Sequence, residues 1–240
     1  MTLTDDRINE LNAQESDYTI EFFKNFIQNI TVYEDEDIWV LDKPAGLLSV
    51  DGRILKVSLQ SRLLKVNPKI KLIHRLDMDT SGLIIFAKNA AAQTHISKQF
   101  IQRLPQKEYQ ALVYGKMTSQ NGTIDIPVRY EPTTKPRHIT DISWAKQAVT
   151  NYQVLGIESK TDTLGRTHDI TRVQLSPITG RSHQLRVHML HINHVMLGDP
   201  IYAEGLALTL LPRLALHAHR LRLKHPTKNV WLQWQSDVPF

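Results

Sequence analysis

HRLDMDTSGLIIFAKN, residues 74–89, is the stretch on which the reading of this chain turns. It places a carboxylate, Asp77, between Arg75 and a tight Thr80-Ser81-Gly82 turn that leads into the apolar run Leu83-Ile84-Ile85-Phe86. A short apolar run that follows a Ser-Gly signal and is rich in β-branched and aromatic residues reads as a buried strand. A second acid, Asp79, lies two residues beyond Asp77. On an extended segment the two could share a side, as a glycosidase pair does, but acids two apart more commonly mark a turn.

Working outward, DEDIWVLDKPAGLLSV (35–50) predicts a strand over Ile38–Leu41, a turn at Lys43–Gly46 and a second extended piece over Leu47–Val50. KEYQALVYGKM (107–117) and TRVQLSPI (171–178) read as further strands. AAAQTHISKQFIQR (90–103) repeats its apolar residues at helical spacing, as does RSHQLRVHMLHI (181–192) after a helix-start signal at Thr179-Gly180. DYTIEFFKNF (17–26) reads as a helix or edge segment, and alternation begins at Ile30. The outcome is a mixed α/β chain: an acidic N-terminal extension over 1–28 and one catalytic body over 29–240. YEPTTKPRHITD (130–141) has no apolar period and predicts an exposed hairpin or lid. Arg129, Lys135, Arg137 and His138 could hold phosphates there, against the plainer reading of a solvated loop.

Charge divides unevenly. Residues 1–40 carry ten acidic and two basic side chains, whereas the remaining 200 carry 27 basic and 14 acidic, a balance of +13. That field suits a polyanionic partner, nucleic acid first among them, although a basic balance also serves solubility. There is no cysteine, which excludes thiolate metal sites and cysteine nucleophiles and agrees with a reducing compartment. No apolar run is long enough to span a bilayer, and the start carries acid where a secretory signal carries base. A soluble cytoplasmic protein with no membrane partner is expected. His188, His191 and His194 recur every three residues, but three helical residues turn only about 300°. The first and last therefore diverge by about 120°, and no metal site is expected.

The stretch His74–Lys88 resembles the RluA-type pseudouridine synthases, whose HRLDxxTSGL pattern is followed by an aliphatic strand and a lysine. Further blocks occur in that family's order: KPAGLLSV (43–50), KEYQALVYG (107–115), PITGRSHQLRVHM (177–189), GDPIY (198–202), and LHA with HP within 216–226. Departures are Asp51, where a proline often stands, and Ala145 and Ala203, where glycine is usual. Only 42 residues precede Lys43, so the chain resembles the compact subgroup without an S4 domain.

The resemblance implies a pseudouridine synthase fold, a mixed and mainly antiparallel central sheet flanked by helices with a basic active-site cleft. It implies isomerisation of uridine in structured RNA, either 23S ribosomal RNA, transfer RNA or both, by a monomer using no cofactor. Breaking the N1 glycosidic bond, rotating the uracil and rejoining it through C5 oxidises nothing and adds nothing. A carboxylate can attack C1′ or remove the 2′ proton, and either route divides a hard step; Asp77 takes that role. Arg186 would keep it ionised, and Tyr109 would stack on the flipped base. Arg75 would fill the vacated place in the RNA stack, with His74, Thr80, Lys107, Arg137, Arg181 and His183 as further RNA contacts. Two other readings use the same residues: a noncatalytic RNA-binding protein, and a uridine hydrolase.

Overall fold

The computed structural model describes residues 4–240. The chain divides into two compact units, one of residues up to 106 with 220–237, the other of residues 107–219 with 238–240.

The first unit contains α1 (Asp5–Asp17), α2 (Ile20–Ile30), β1 (Thr31–Glu34), β2 (Ile38–Lys43), α3 (Leu59–Val66), β3 (Lys71–Leu72), β4 (Ser81–Ala87) and α4 (Ala90–Ile101). Each helix begins on a side chain able to satisfy an orphan amide. Thr4 accepts from the Arg7 N–H, Thr19 from Phe22 and Asn89 from Ala92, while Ser58 and Ser61 form a capping box. All seven residues of β4 are buried, which is why its sequence runs apolar without alternation. β2 and β3 pair with it antiparallel, with Leu41 opposite Ile84. Ile38, Val40, Leu83, Ile85 and Ile96 share one core cluster with Leu221, Leu223 and Trp234. The DYTIEFFKNF segment resolves as a helix because Phe23 and Ile27, four apart, are its buried positions. α1 buries nothing and is held by its polar face. Asn12 receives the Lys56 N–H at 2.8 Å and donates to the Ile54 carbonyl, and Glu15 takes two hydrogen bonds from Arg62.

The second unit is built on β5 (Gln106–Tyr114), β6 (Asn121–Asp125), β7 (Val128–Tyr130), β8 (His138–Thr140), β9 (Val149–Thr161) and β10 (Thr167–Pro177), with helices α5 (Gln184–His191) and α6 (Gly205–Thr209). Its sheet runs β5-β10-β9-β6 with antiparallel registers throughout. β7 and β8 form a separate hairpin, so the 130–141 stretch is a hairpin, as its sequence suggested. β11 (Leu216–Lys224) begins in the second unit and ends in the first, where it pairs with β12 (Trp231–Gln235). The class is α/β: antiparallel sheet with helices packed on it.

Two boundaries differ from expectation. Leu47–Val50 is not a strand, since only Leu48 forms a bridge, to Ser58, and Ser49 is used instead by the Asp77 loop. α5 starts at Gln184 rather than at Thr179-Gly180, because Thr179 is held to β9: its Oγ1 accepts the Val149 N–H and donates to Gln184.

Asp35, Asp37 and His225 bring ligand-type atoms within 4.8 Å of one another, but protein donors occupy them. Asp35 accepts from the Tyr33 hydroxyl, the N–H groups of Asp37 and Ile38, His225 Nε2 and Lys228. Asp37 accepts from Thr227 and Asn89. Burial opposes ionisation of Asp35, but the Asp37 N–H, Lys228, Tyr33 and Ile38 outweigh it and hold this carboxyl well below its usual range. A depressed carboxyl stabilises the fold fully above the unfolded value of about 3.9 and loses that contribution as pH falls. Asp35→Asn should therefore cost about 2 kcal/mol at neutral pH, with the difference from wild type shrinking as denaturant melts are repeated down to pH 3.

Candidate active site

Asp77 lies in the 73–80 loop between β3 and β4, and the backbone on both sides of it is anchored. The Ser49 hydroxyl donates to the Leu76 carbonyl at 2.7 Å and accepts the Leu76 N–H at 3.0 Å. The Met78 carbonyl accepts from the Gly46 N–H at 2.9 Å and from Lys43 Nζ at 3.0 Å. Lys43 is wholly buried and also donates to the carbonyls of Pro44 and Leu47. Thr80 N–H closes the turn onto the Asp77 carbonyl at 3.2 Å. The 43–50 and 74–82 blocks are thus one structure: the first is the cradle and the second is the loop it holds. Gly46 has φ +80°, which a side chain would strain. Asp77 is half-buried, while Arg75 is exposed.

His74 and Thr80 of this block make contacts within the fold. His74 Nε2 accepts the Ile85 N–H, and its ring stacks on Phe100 with centroids 4.9 Å apart. Thr80 is 2% exposed, with its hydroxyl buried and lacking a hydrogen-bond partner. At that burial it offers no surface contact to RNA, contrary to expectation. Asp79 occupies the turn beside Met78.

In the second unit, Tyr109 stands opposite Leu175 and packs against the cluster that includes Ala111, Val173, Leu185 and Met189. Lys107, two residues earlier, shares its strand face, and burial lowers its pKa. Its Nζ lies 3.8 Å from where a Cβ of Gly180 would be. Gln184 locks the 179–184 turn to β9: its side chain accepts from Thr179 and the Arg181 N–H and donates to the Val149 carbonyl and Thr150. Arg181 itself is exposed, with Nε on the Gln147 carbonyl.

Arg186 is buried at 1% exposure and grips Asp199 with two nitrogens, Nε to Oδ2 at 2.8 Å and Nη2 to Oδ1. Asp199 also receives the N–H groups of Ile201 and Tyr202. Gly198 sets this up. Its φ is +65°, and a Cβ there would lie 2.0 Å from the Arg213 carbonyl oxygen, so only glycine fits. The Tyr202 ring has the guanidinium carbons of Arg186 and Arg137 at 5.1 and 5.3 Å. Its hydroxyl pairs with His183 Nδ1 at 2.7 Å and accepts the His138 N–H at 2.8 Å. Arg186, Arg137 and His183 are thereby brought together around Tyr202. Neither Asp199 nor Tyr202 was singled out from sequence, although both stand in the GDPIY block.

Arg129 does not serve as a phosphate contact, because ion pairs with Asp141 at 2.6 Å and Glu131 at 3.1 Å already occupy it. The three periodic histidines go to different partners. His188 bonds Thr150 and the Ile126 carbonyl, His191 bonds Thr140, and His194 bonds the Tyr114 carbonyl. Burial lowers the His188 pKa, which keeps the imidazole neutral at physiological pH.

Residues 37–191 match the family model described as RNA pseudouridylate synthase. The chain belongs to that family and is an isomerase of RNA uridines. Among curated relatives it is 43% identical over 199 residues to the dual-specificity RNA pseudouridine synthase RluA of Salmonella typhi, covering 82% of this chain and 87% of the relative. It is 41% identical over 213 residues to the protein of that description from Escherichia coli strain K12, covering 88% and 94%. Among solved structures, human RNA Pseudouridylate Synthase Domain Containing 1 superposes with TM-score 0.74 at 29% identity, covering 88% of this chain and 84% of that one. No helix among the described residues is long and apolar enough to cross a membrane.

The Asp199 contact yields a direct test. Removing one partner of a buried ion pair leaves the other uncompensated, so Asp199→Ala should lower stability by about 3–5 kcal/mol in urea melts.

Proposed function

We propose that this protein converts selected uridines of large-subunit ribosomal RNA and of transfer RNA stem-loops to pseudouridine, with Asp77 as the reacting carboxylate. The observation that carries the reading is the anchoring of Leu76 and Met78 by Ser49, Gly46 and Lys43. A half-buried carboxylate on a loop fixed on both sides is a preorganised group rather than a mobile surface acid. The N1–C1′ bond breaks, the uracil rotates, and a C5–C1′ bond forms. The proton on C5 leaves and N1 gains one, so the product is an isomer of the substrate. Asp77 either attacks C1′ or removes the 2′ proton, and both routes end with the carboxylate regenerated.

Tyr109 stacks on the extruded base, a contact worth about 1–3 kcal/mol, similar to the few kcal/mol that flipping requires. Arg186, whose guanidinium is held by Asp199, takes the role of cationic partner to the reacting carboxylate. Arg75 takes the vacated place in the RNA stack. Arg181, Lys107, Arg137 and His183 contact the surrounding RNA. Because the leaving base is recaptured, neither an activated water nor a metal is needed, and entry of water would divert the reaction. The enzyme acts in the cytoplasm as a monomer.

Tritium release from C5-labelled uridine in RNA tests this proposal. Wild type should release it, and Asp77→Asn should lower the rate by about 10²–10⁴-fold while RNA affinity stays within a factor of two. Equal binding with no release from either protein would indicate a noncatalytic RNA binder, and free uracil among the products would indicate a hydrolase.

A further inference from the structure

In the first unit, Arg220, Arg222 and Lys224 of β11 stand opposite Gln235, Gln233 and Trp231 of β12. Residues two apart on a strand share a face, and so do directly opposed residues. The six side chains therefore form one strip, while Leu221, Leu223 and Trp234 on the reverse face lie in the core with Ile85 and Ile96. Trp231, Gln233 and Gln235 are exposed and the three cations are half-buried. Gln99 fixes the end of the strip by bonding both the N–H and the carbonyl of Lys224.

Arg222 meets neutral partners on this face. Arg222 donates to the Gln106 side-chain oxygen at 3.1 Å and lies 4.9 Å from the centre of the Trp231 ring, and Arg220 donates to Gln235 at 3.1 Å. Among the described residues, neither Arg222 nor Lys224 has a carboxylate within ion-pair distance. Elsewhere the pattern is different: Arg62, Lys88, Arg129 and Arg172 are each paired with an acid. The Gln106 amide oxygen orients the Arg222 guanidinium without neutralising it, which leaves Arg222 and Lys224 as positive charges on the strip. These two cations stand about 6.8 Å apart along the strand, a spacing suited to successive phosphates of one nucleic-acid strand. Cations for phosphates, amides for sugar and base edges, and an exposed indole for stacking are the components of an RNA-binding surface.

We propose that this β11–β12 strip is an RNA-binding surface additional to the residues that do the chemistry, gripping the phosphate backbone of substrate RNA flanking the target nucleotide. The proposal rests on the RNA-isomerase reading above and adds to it a dedicated surface, which holds substrate without touching the reacting uridine.

The full-length chain should be titrated with unmodified transfer RNA transcript across a salt series, alongside tritium-release kinetics on the same RNA. Losing two phosphate contacts removes about 0.7–0.9 each from the slope of log affinity against log salt. R222Q/K224Q should thus flatten the slope by about 1.5 and raise KM about tenfold at 0.1 M salt, with kcat unchanged. Gln233→Lys, which adds a cation at an exposed site on the same face, should steepen the slope by about 0.8 and tighten binding. Wild-type slopes and KM in both variants, with tritium release intact, would overturn the strip and leave the isomerase reading standing. Altered slopes with no tritium release from wild type would support the strip and overturn the isomerase reading.

Discussion

The rest of the site depends on how the backbone around Asp77 is held. Ser49 takes both polar groups of Leu76, and the carbonyl of Met78 is taken by Gly46 and by the buried ammonium of Lys43. Burying an ammonium is costly unless good acceptors surround it. Three carbonyls of the two loops supply them, so Lys43 bonds the loops to each other while they satisfy it. Charge-assisted bonds of this kind are stronger than neutral ones, and they leave Asp77 little freedom to move with solvent. Under the role proposed for Asp77, a carboxylate that reacts at one ribose benefits from having its orientation fixed before RNA arrives.

The second unit uses the same strategy with different chemistry. Arg186 sits fully buried, and its bidentate grip on Asp199 fixes the plane of the guanidinium. Asp199 is fixed in turn by two backbone N–H groups on a turn that requires Gly198. The value of such a buried pair lies more in position than in net stability, because its attraction is largely offset by desolvation. Tyr202 extends the arrangement by engaging Arg137, His138 and His183 with its ring or hydroxyl. The 130–141 hairpin, expected to be exposed, is therefore tied to the arginine through one tyrosine.

How much of this could be read beforehand follows from the range of the interactions. β4 was legible because seven buried residues in a row leave an uninterrupted apolar run, and α4 because its buried residues recur at helical spacing. The family was legible because the residues around Asp77 form a contiguous motif. The cradle was not. Lys43 reads locally as a turn residue, and nothing near it reveals that its partner Met78 is 35 positions away. Ser49 was hidden in a stretch that looked extended, and its partner Leu76 is 27 positions distant. Arg129 looked like an available cation until Asp141, twelve residues on, came to lie against it. In each case the signal is a long-range pairing that periodicity and local chemistry do not encode.

The single-turnover rate of Ser49→Ala on saturating RNA reads whether the pinned turn aligns Asp77. If alignment is the function of the Ser49 bonds, the rate should fall by about 10–100-fold while the equilibrium affinity for RNA stays that of wild type. A wild-type rate in Ser49→Ala, or a loss confined to RNA affinity, would contradict the account.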